Sequence, residues 1–142
     1  MIGELADYER LTSELRADPD RLKEHLFGPR RYAEALIGEF DGRPAGYALF
    51  FHSYSTFLTA PGIYLEDLFV RRADRGRGLG RALLARVARI AVERGCARLE
   101  WAVLDWNQPA IDFYRSLGAV PVGGWTTYRL IGTPLERLAS GD

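Results

Sequence analysis

The chain has 142 residues, a formal net charge of zero and 47% hydrophobic content. It is long enough to bury a real core, so one domain covering residues 1–142 is expected. The neutral balance argues against a nucleic-acid binder, and no apolar run approaches the ~20 residues of a membrane span. A single Cys96 excludes an internal disulfide and a cysteine zinc cluster, and no leader-like segment opens the chain, so a cytoplasmic protein is expected.

In chain order, Met1 to Tyr8 reads as the end of a helix. Asp18 or Asp20 can cap a second helix running to about Leu26, which stops at Phe27-Gly28-Pro29. Tyr32 to Phe40 reads as a strand, Asp41-Gly42 as a turn, and Gly46 to Tyr54 as the returning strand. Ser55 to Pro61 is a loop and Gly62 to Val70 a third strand. Leu83, Leu84, Val87, Ile90 and Ala91 then repeat at helical spacing up to Gly95. Arg98 to Leu104 is apolar enough for a central fourth strand. Asn107 caps the next helix, Pro109 sits in its first turn and Gly118 closes it. Trp125 to Leu130 is predicted as a last strand, with a short tail helix after it. The class is α/β: an antiparallel hairpin, then a β-α-β-α-β unit.

Between the third strand and the following helix lies Arg75-Gly76-Arg77-Gly78-Leu79-Gly80. Glycines at alternate positions let a backbone approach a ligand closely. Free N–H groups at a helix N-terminus, aided by the helix dipole, make an anion site. A dinucleotide fingerprint needs its third glycine where Arg81 stands. A nucleoside-triphosphate loop needs Gly-Lys-Ser/Thr, and the only lysine is the distant Lys23. The remaining pattern, Arg-x-x-Gly-x-Gly, is filled by Arg75, Gly78 and Gly80, and resembles the pyrophosphate loop of the GNAT acetyltransferases. A glycine-rich turn without a ligand would look the same over six residues. Arg71, Arg72, Arg75, Arg77 and Arg81 crowd this loop, and phosphate pairing is the expected use.

Glu66 and Asp67 stand in the middle of an apolar strand, where an unpartnered carboxylate is costly. Successive strand residues face opposite sides, so the two form no dyad unless a bulge twists the strand. One is expected to face a cleft and the other a structural partner; a burial-raised pKa would suit a general base acting on an ammonium. Tyr114 follows Asn107 by two helical turns on nearly the same face and can serve as an acid toward a departing thiolate, or simply pack. His25 and His52 are isolated, with no metal-ligand spacing, so no metal is expected. No nucleophile elbow is present. Phe50, Phe51, Tyr54 and Phe57 read first as core.

Together, Leu5 to Glu9, Tyr64 to Val70, Arg75 to Gly80, Asp105 to Pro109, Phe113-Tyr114 and Gly118-Ala119 resemble the diamine (spermidine/spermine-type) branch of the GNAT superfamily over nearly the whole chain. The resemblance implies the GNAT fold: a mixed central sheet with splayed parallel strands and helices on both faces. It implies acetyl-CoA as cosubstrate, bonded along Leu68, Phe69 and Val70. The pyrophosphate would meet Arg75, Gly76, Arg77, Gly78, Leu79, Gly80 and Arg81, with Asn107, Pro109 and Ala110 helping to hold the cofactor arm. Tyr114 would protonate the thiolate and Glu66, through water, would be the base. Tyr8, Glu9, Glu66, Asp67, Glu100, Trp101 and Ala102 would line the acceptor pocket. A homodimer is implied as well. Family members usually carry further N-terminal residues forming a first strand, so this sheet is expected to lack that strand. They also tend to have an acid just before the tryptophan near the last strand; here Gly123-Gly124 precedes Trp125, which removes one contact for a polycation. The expected activity is acetyl transfer to a primary amine of a small molecule, either diamine or polyamine-like or an amino acid. The alternatives are a drug or protein amine as acceptor, or a non-catalytic acyl-CoA-binding module.

Overall fold

The structure, a computed structural model, describes residues 1–141. They form two compact units, one spanning Met1–Leu104 and one beginning at Asp105. The first contains helices α1 (Ile2–Tyr8), α2 (Pro19–Phe27) and α3 (Leu79–Glu93) and strands β1 (Glu34–Phe40), β2 (Arg43–Ser55), β3 (Ala60–Val70) and β4 (Leu99–Glu100). The second contains α4 (Gln108–Ser116) and α5 (Gly132–Ser140).

Local chemistry explains most boundaries. The Asp18 carboxylate accepts a hydrogen bond from the Arg21 N–H at 3.0 Å, and Pro19 opens α2 with a φ already suited to a helix. Asp41 and Gly42 both take positive φ, at 52° and 74°, the requirement of a type I′ turn whose twist suits a hairpin. That turn lets β2 start at Arg43, three residues earlier than the side-chain pattern suggests. The loop between β2 and β3 shortens to Thr56–Thr59 for the same reason: the ladder continues wherever a partner strand is present.

The sheet order is β1-β2-β3-β4, antiparallel except for the parallel β3–β4 pair. Among the described residues β1 is an outer strand, as expected of a sheet without a preceding strand. Gly46 faces α3: a Cβ there would lie 3.3 Å from Leu79 Cδ2 and 2.6 Å from the Phe69 carbonyl oxygen. The next residue, Tyr47, points to the opposite face and packs with Phe69 and with Leu5 of α1. Helices therefore cover both faces. Leu83, Leu84, Val87, Ile90 and Ala91 form the buried stripe of α3, as their spacing predicts.

Two expectations fail. The fourth strand is not a central run from Arg98 to Leu104; it is two residues long and lies at the sheet edge. β3 carries a bulge at Glu66, and bulges end pairing. The β3–β4 ladder stops at Tyr64↔Glu100, just before it. Trp101 and Ala102, expected on that strand, follow it in irregular chain. In the second unit no strand forms over Trp125 to Leu130. The stretch has strand-forming residues, but strand propensity depends on a paired, half-buried surface. Here Trp125 is 83% and Tyr128 92% exposed.

Candidate active site

The acidic part of the site depends on one irregularity of register. Leu49 pairs with Asp67 while the next residue, Phe50, pairs with Leu65, so Glu66 is an extra residue on β3. Asp67 keeps the face of Leu49 and Tyr47, and Leu65 keeps that of Phe50. The bulge re-aims Glu66 toward the Asp67 side. Glu9, which follows α1, has its carboxyl raised first by burial and then by repulsion from both Asp67 and Glu66. Three carboxylates thus share one region, and two adjacent acids that a regular strand would separate act together.

Their environments differ. Asp67 is half-buried and accepts a hydrogen bond from the Tyr47 hydroxyl at 2.9 Å. Burial pushes its carboxyl above the usual range, and the Tyr47 bond partly offsets this. Tyr47 is itself buried and its phenol is pushed far up, chiefly by burial and then by Asp67. Glu66 is exposed. The burial argument made from sequence therefore belongs to Asp67 and Glu9, while Glu66 faces the open side. Tyr64 is raised by burial, then by Glu66 and Glu100, which brings Glu100 to the same region. Glu100 also pairs with Arg98 at 2.9 Å. Such a set attracts an ammonium ion and offers it carboxylates able to take up a proton.

Beside this cluster β3 has an open edge. Beyond Tyr64 no described strand pairs with its β4 side, so main-chain groups of Leu68, Phe69 and Val70 on that side have no ladder partner. At its end comes the glycine loop. Gly76 and Gly78 hold φ of 76° and 85°, conformations that cost other residues free energy. Gly78 is the N-cap of α3, no side chain caps that helix, and no acid stands in its first turn. The amides of Leu79, Gly80 and Arg81 open a 15-residue helix whose dipole favours an anion.

Several arginines around the loop also have partners within the chain. Arg43 of β2 holds Asp74 with two hydrogen bonds of 3.0 and 2.6 Å, and Arg77 reaches the same carboxylate at 3.3 Å. Arg77 also lies 3.6 Å from the Phe40 ring centre. Arg75 donates from Nε to the Val70 carbonyl at 2.9 Å and lies 4.6 Å over the ring of Tyr8. Arg71 bonds the Pro44 carbonyl and approaches Glu4 at 3.4 Å. Arg71, Arg75 and Arg77 thus tie the loop to the hairpin and to α1, while Arg75 and Arg77, like Arg72 and Arg81, stay exposed. Sequence reasoning missed Asp74, whose one visible signal is an acid amid arginines, and Tyr47, which gives no signal beyond an aromatic in a strand. Cys96 is half-buried.

In the second unit Asn107 is buried, and its side-chain oxygen accepts from the Ala110 N–H at 3.4 Å, capping α4 as expected. Pro109 lies in the first turn, and Gln108 bonds Asp112 at 2.6 Å. Tyr114 is half-buried on α4 with its ring against Phe113 at 5.3 Å.

Residues 4–119 match the Acetyltransferase (GNAT) family. The chain belongs to that family. A thialysine N-epsilon-acetyltransferase of Sus scrofa is 37% identical over 98% of this chain and 88% of its own. An L-ornithine N5-acetyltransferase of Arabidopsis thaliana is 40% identical over 85% of this chain and 49% of its own. Among solved structures, an integron cassette protein from the mobile metagenome of V. cholerae superposes with a TM-score of 0.79 at 28% identity, over 96% of this chain and 85% of the other. This GNAT chain is thus an N-acetyltransferase, with acetyl-CoA as the family's cosubstrate, and it has the mixed α/β fold of the family. Among the described residues no helix is long and apolar enough to cross a membrane.

Proposed function

We propose that this acetyltransferase moves acetyl from acetyl-CoA to a primary amine of a small diamine or diamino acid. The carrying observation is the bulge at Glu66, which gathers Glu66, Asp67 and Glu9 next to the unpaired edge of β3. Relatives named for thialysine and ornithine acetylation support an acceptor of that kind.

In this reading Leu68, Phe69 and Val70 hold the pantetheine through main-chain bonds. The amides from Gly76 to Arg81 hold the diphosphate, and Arg75 and Arg77 keep the loop in shape. Asn107, Pro109 and Ala110 support the cofactor arm through the start of α4. Main-chain N–H groups of β3 polarise the thioester carbonyl. Tyr8, Glu9, Asp67, Glu100, Trp101 and Ala102 line the acceptor pocket and favour the ammonium form on arrival. Glu66 takes the amine proton through water; the nitrogen lone pair then bonds to the carbonyl carbon as the carbon–sulfur bond breaks. Tyr114 gives its proton to the departing thiolate, an assignment that rests on the family resemblance. The same reading takes residues 1–142 as one acetyltransferase domain, acting as a cytoplasmic homodimer on free small molecules, without metal or nucleic acid. Neutral net charge supports the last point.

Free-thiol release from acetyl-CoA, measured across diamines, diamino acids, polyamines, aminoglycosides and peptide amines, tests the proposal. Turnover should be highest with the first two classes. Preference for aminoglycosides or peptides would reject the acceptor class.

A further inference from the structure

The sheet face that carries Asp67 also carries a group that the transfer chemistry leaves out, the hydroxyl of Tyr47. Tyr47 lies opposite Phe69 in the β2–β3 ladder, and Leu49 lies opposite Asp67. Tyr47 and Asp67 are therefore diagonal neighbours on one face. Such neighbours stand roughly 7–8 Å apart, a distance that an aromatic side chain spans and a short hydroxyl side chain does not.

The two ends of this side chain have different surroundings. The ring is buried with Leu5 of α1 and with Phe69, whose ring centre is 6.2 Å away. The hydroxyl donates to Asp67 Oδ2 at 2.9 Å. Packing needs only the ring, which phenylalanine would supply. A buried hydroxyl costs free energy unless it is bonded. What sets Tyr47 apart from a plain packing residue is therefore its bond to Asp67.

That bond fixes the carboxylate. With Oδ2 held from β2, the plane of the group is set and Oδ1 is the oxygen left over for a ligand. The charges around it come from three directions. Glu9 follows α1 and Glu66 is the bulge residue of β3; both sit close enough for Glu9 to be raised by Asp67 and Glu66, after burial. Arg75 stands over the rings of Tyr8 and Phe69 at 4.6 and 5.8 Å. Crowded carboxylates disfavour one another's charge, and a hydrogen bond donated to one of them favours its charged form. Burial raises the Asp67 carboxyl and the Tyr47 bond pulls it back down.

We propose that Tyr47 is a positioning residue for the acceptor: its hydroxyl sets Asp67 so that Oδ1 receives the incoming ammonium. The inference rests on the small-amine reading above and adds the group that keeps one acid of the bulge ready. Tyr47 acts through Asp67 rather than on the reacting atoms, so its effect belongs to amine binding and to the response of that binding to pH.

The test is Tyr47→Phe in the full-length protein, a change that keeps the ring and deletes one oxygen; a thermal melt checks that it folds. Kinetics are read with whichever of L-ornithine, L-lysine and 1,4-diaminobutane the wild type turns over fastest. The amine KM at pH 7 should rise about ten-fold, the worth of a hydrogen bond to a charged group, while kcat at saturation and the KM for acetyl-CoA stay within about two-fold. Without the bond the Asp67 carboxyl rises further, so the acid limb of the kcat/KM profile for the amine should move to higher pH. Asp67→Asn tests the route. If Tyr47 acts through Asp67, adding Tyr47→Phe to Asp67→Asn should change the amine KM by less than about two-fold. An amine KM and acid limb that do not move in Tyr47→Phe, whatever its melt, would overturn the positioning role and leave the small-amine reading standing. So would a further rise of about ten-fold in the Asp67→Asn background, because the two effects would then be independent. Wild type that turns over none of the three amines would overturn both.

Discussion

The Glu66 bulge lies within β3 and the glycine loop follows that strand, and the two are built from opposite materials. The loop presents main chain: glycines at positive φ and an uncapped helix start, with Arg77 meeting Asp74 and Arg75 a carbonyl and the Tyr8 ring. The bulge presents side chains: Glu66 and Asp67 set together by a register shift, with Glu9 beside them and Asp67 held by the Tyr47 hydroxyl. A diphosphate is common to every reaction of such an enzyme, and a backbone site recognises it without depending on side-chain identity. An acceptor amine varies, and a side-chain site can follow it. The loop should then be sensitive to backbone shape and the bulge to side-chain charge.

The largest effects should come from the chemistry itself. For Glu66→Gln we expect kcat to fall by roughly 10²–10⁴, the usual worth of a positioned base, with the remaining rate rising toward alkaline pH as free amine replaces ammonium. Acetyl-CoA affinity, measured by calorimetry, should be nearly unchanged, since the loop does not use this carboxylate. An unaltered pH–rate profile would remove Glu66 as the base. Tyr114→Phe should lose turnover in the same range and also keep acetyl-CoA binding; equal turnover would dismiss the phenol as proton donor.

Next come changes to backbone shape. Gly78 sits at φ 85°, and a Cβ there meets nothing within 4 Å, so the cost of Gly78→Ala is conformational alone. That cost is about 1–2 kcal/mol. If the loop recognises diphosphate by its amides, the KM for acetyl-CoA should rise several-fold while kcat at saturation and the preference among amines stay as they were. Changed amine preference with unchanged KM would contradict the division between the two regions. Gly46→Ala is the control: its Cβ would lie 2.6 Å from the Phe69 carbonyl oxygen, so it should lower thermal stability.

How far each region was legible follows from the same contrast. The loop was readable because glycine spacing reports backbone shape directly, and the helix after it because a buried stripe repeats every turn. The caps at Asp18 and Asn107 were readable because they are local. The bulge was not: it arises from pairing Leu49 and Phe50 with residues far along the chain, and the sequence marks only that two acids stand where strands are apolar. The same lack of partner information made Arg98–Leu104 look like a full central strand and Trp125–Leu130 look like a last one. The partners of the arginines were hidden for a different reason. Composition counts positive charges, whereas the pairing of Asp74 with Arg43, 31 positions apart, is made by the fold.

The smallest effect separates stability from activity at Asp67. Its carboxyl is raised in the folded state, first by burial, above the value near 4 of an unfolded chain. The sign follows: its contribution to stability is fully present below that unfolded value and is lost as pH rises through the folded one, so the ionised group is a burden near neutrality. Asp67→Asn keeps an acceptor for the Tyr47 hydroxyl and removes the charge, which also relieves Glu9. The variant should therefore melt higher than wild type at pH 7, by roughly 2–4 °C. The gain should shrink as pH falls and vanish below about pH 4, where wild type is protonated too. Its acetyl transfer should nevertheless be slower, because an amide neither attracts an ammonium nor takes up a proton. A variant that melts lower at pH 7 but equally at pH 4 would mean that the charge stabilises this fold, and that the acids gathered at the bulge are compensated by a group other than Tyr47.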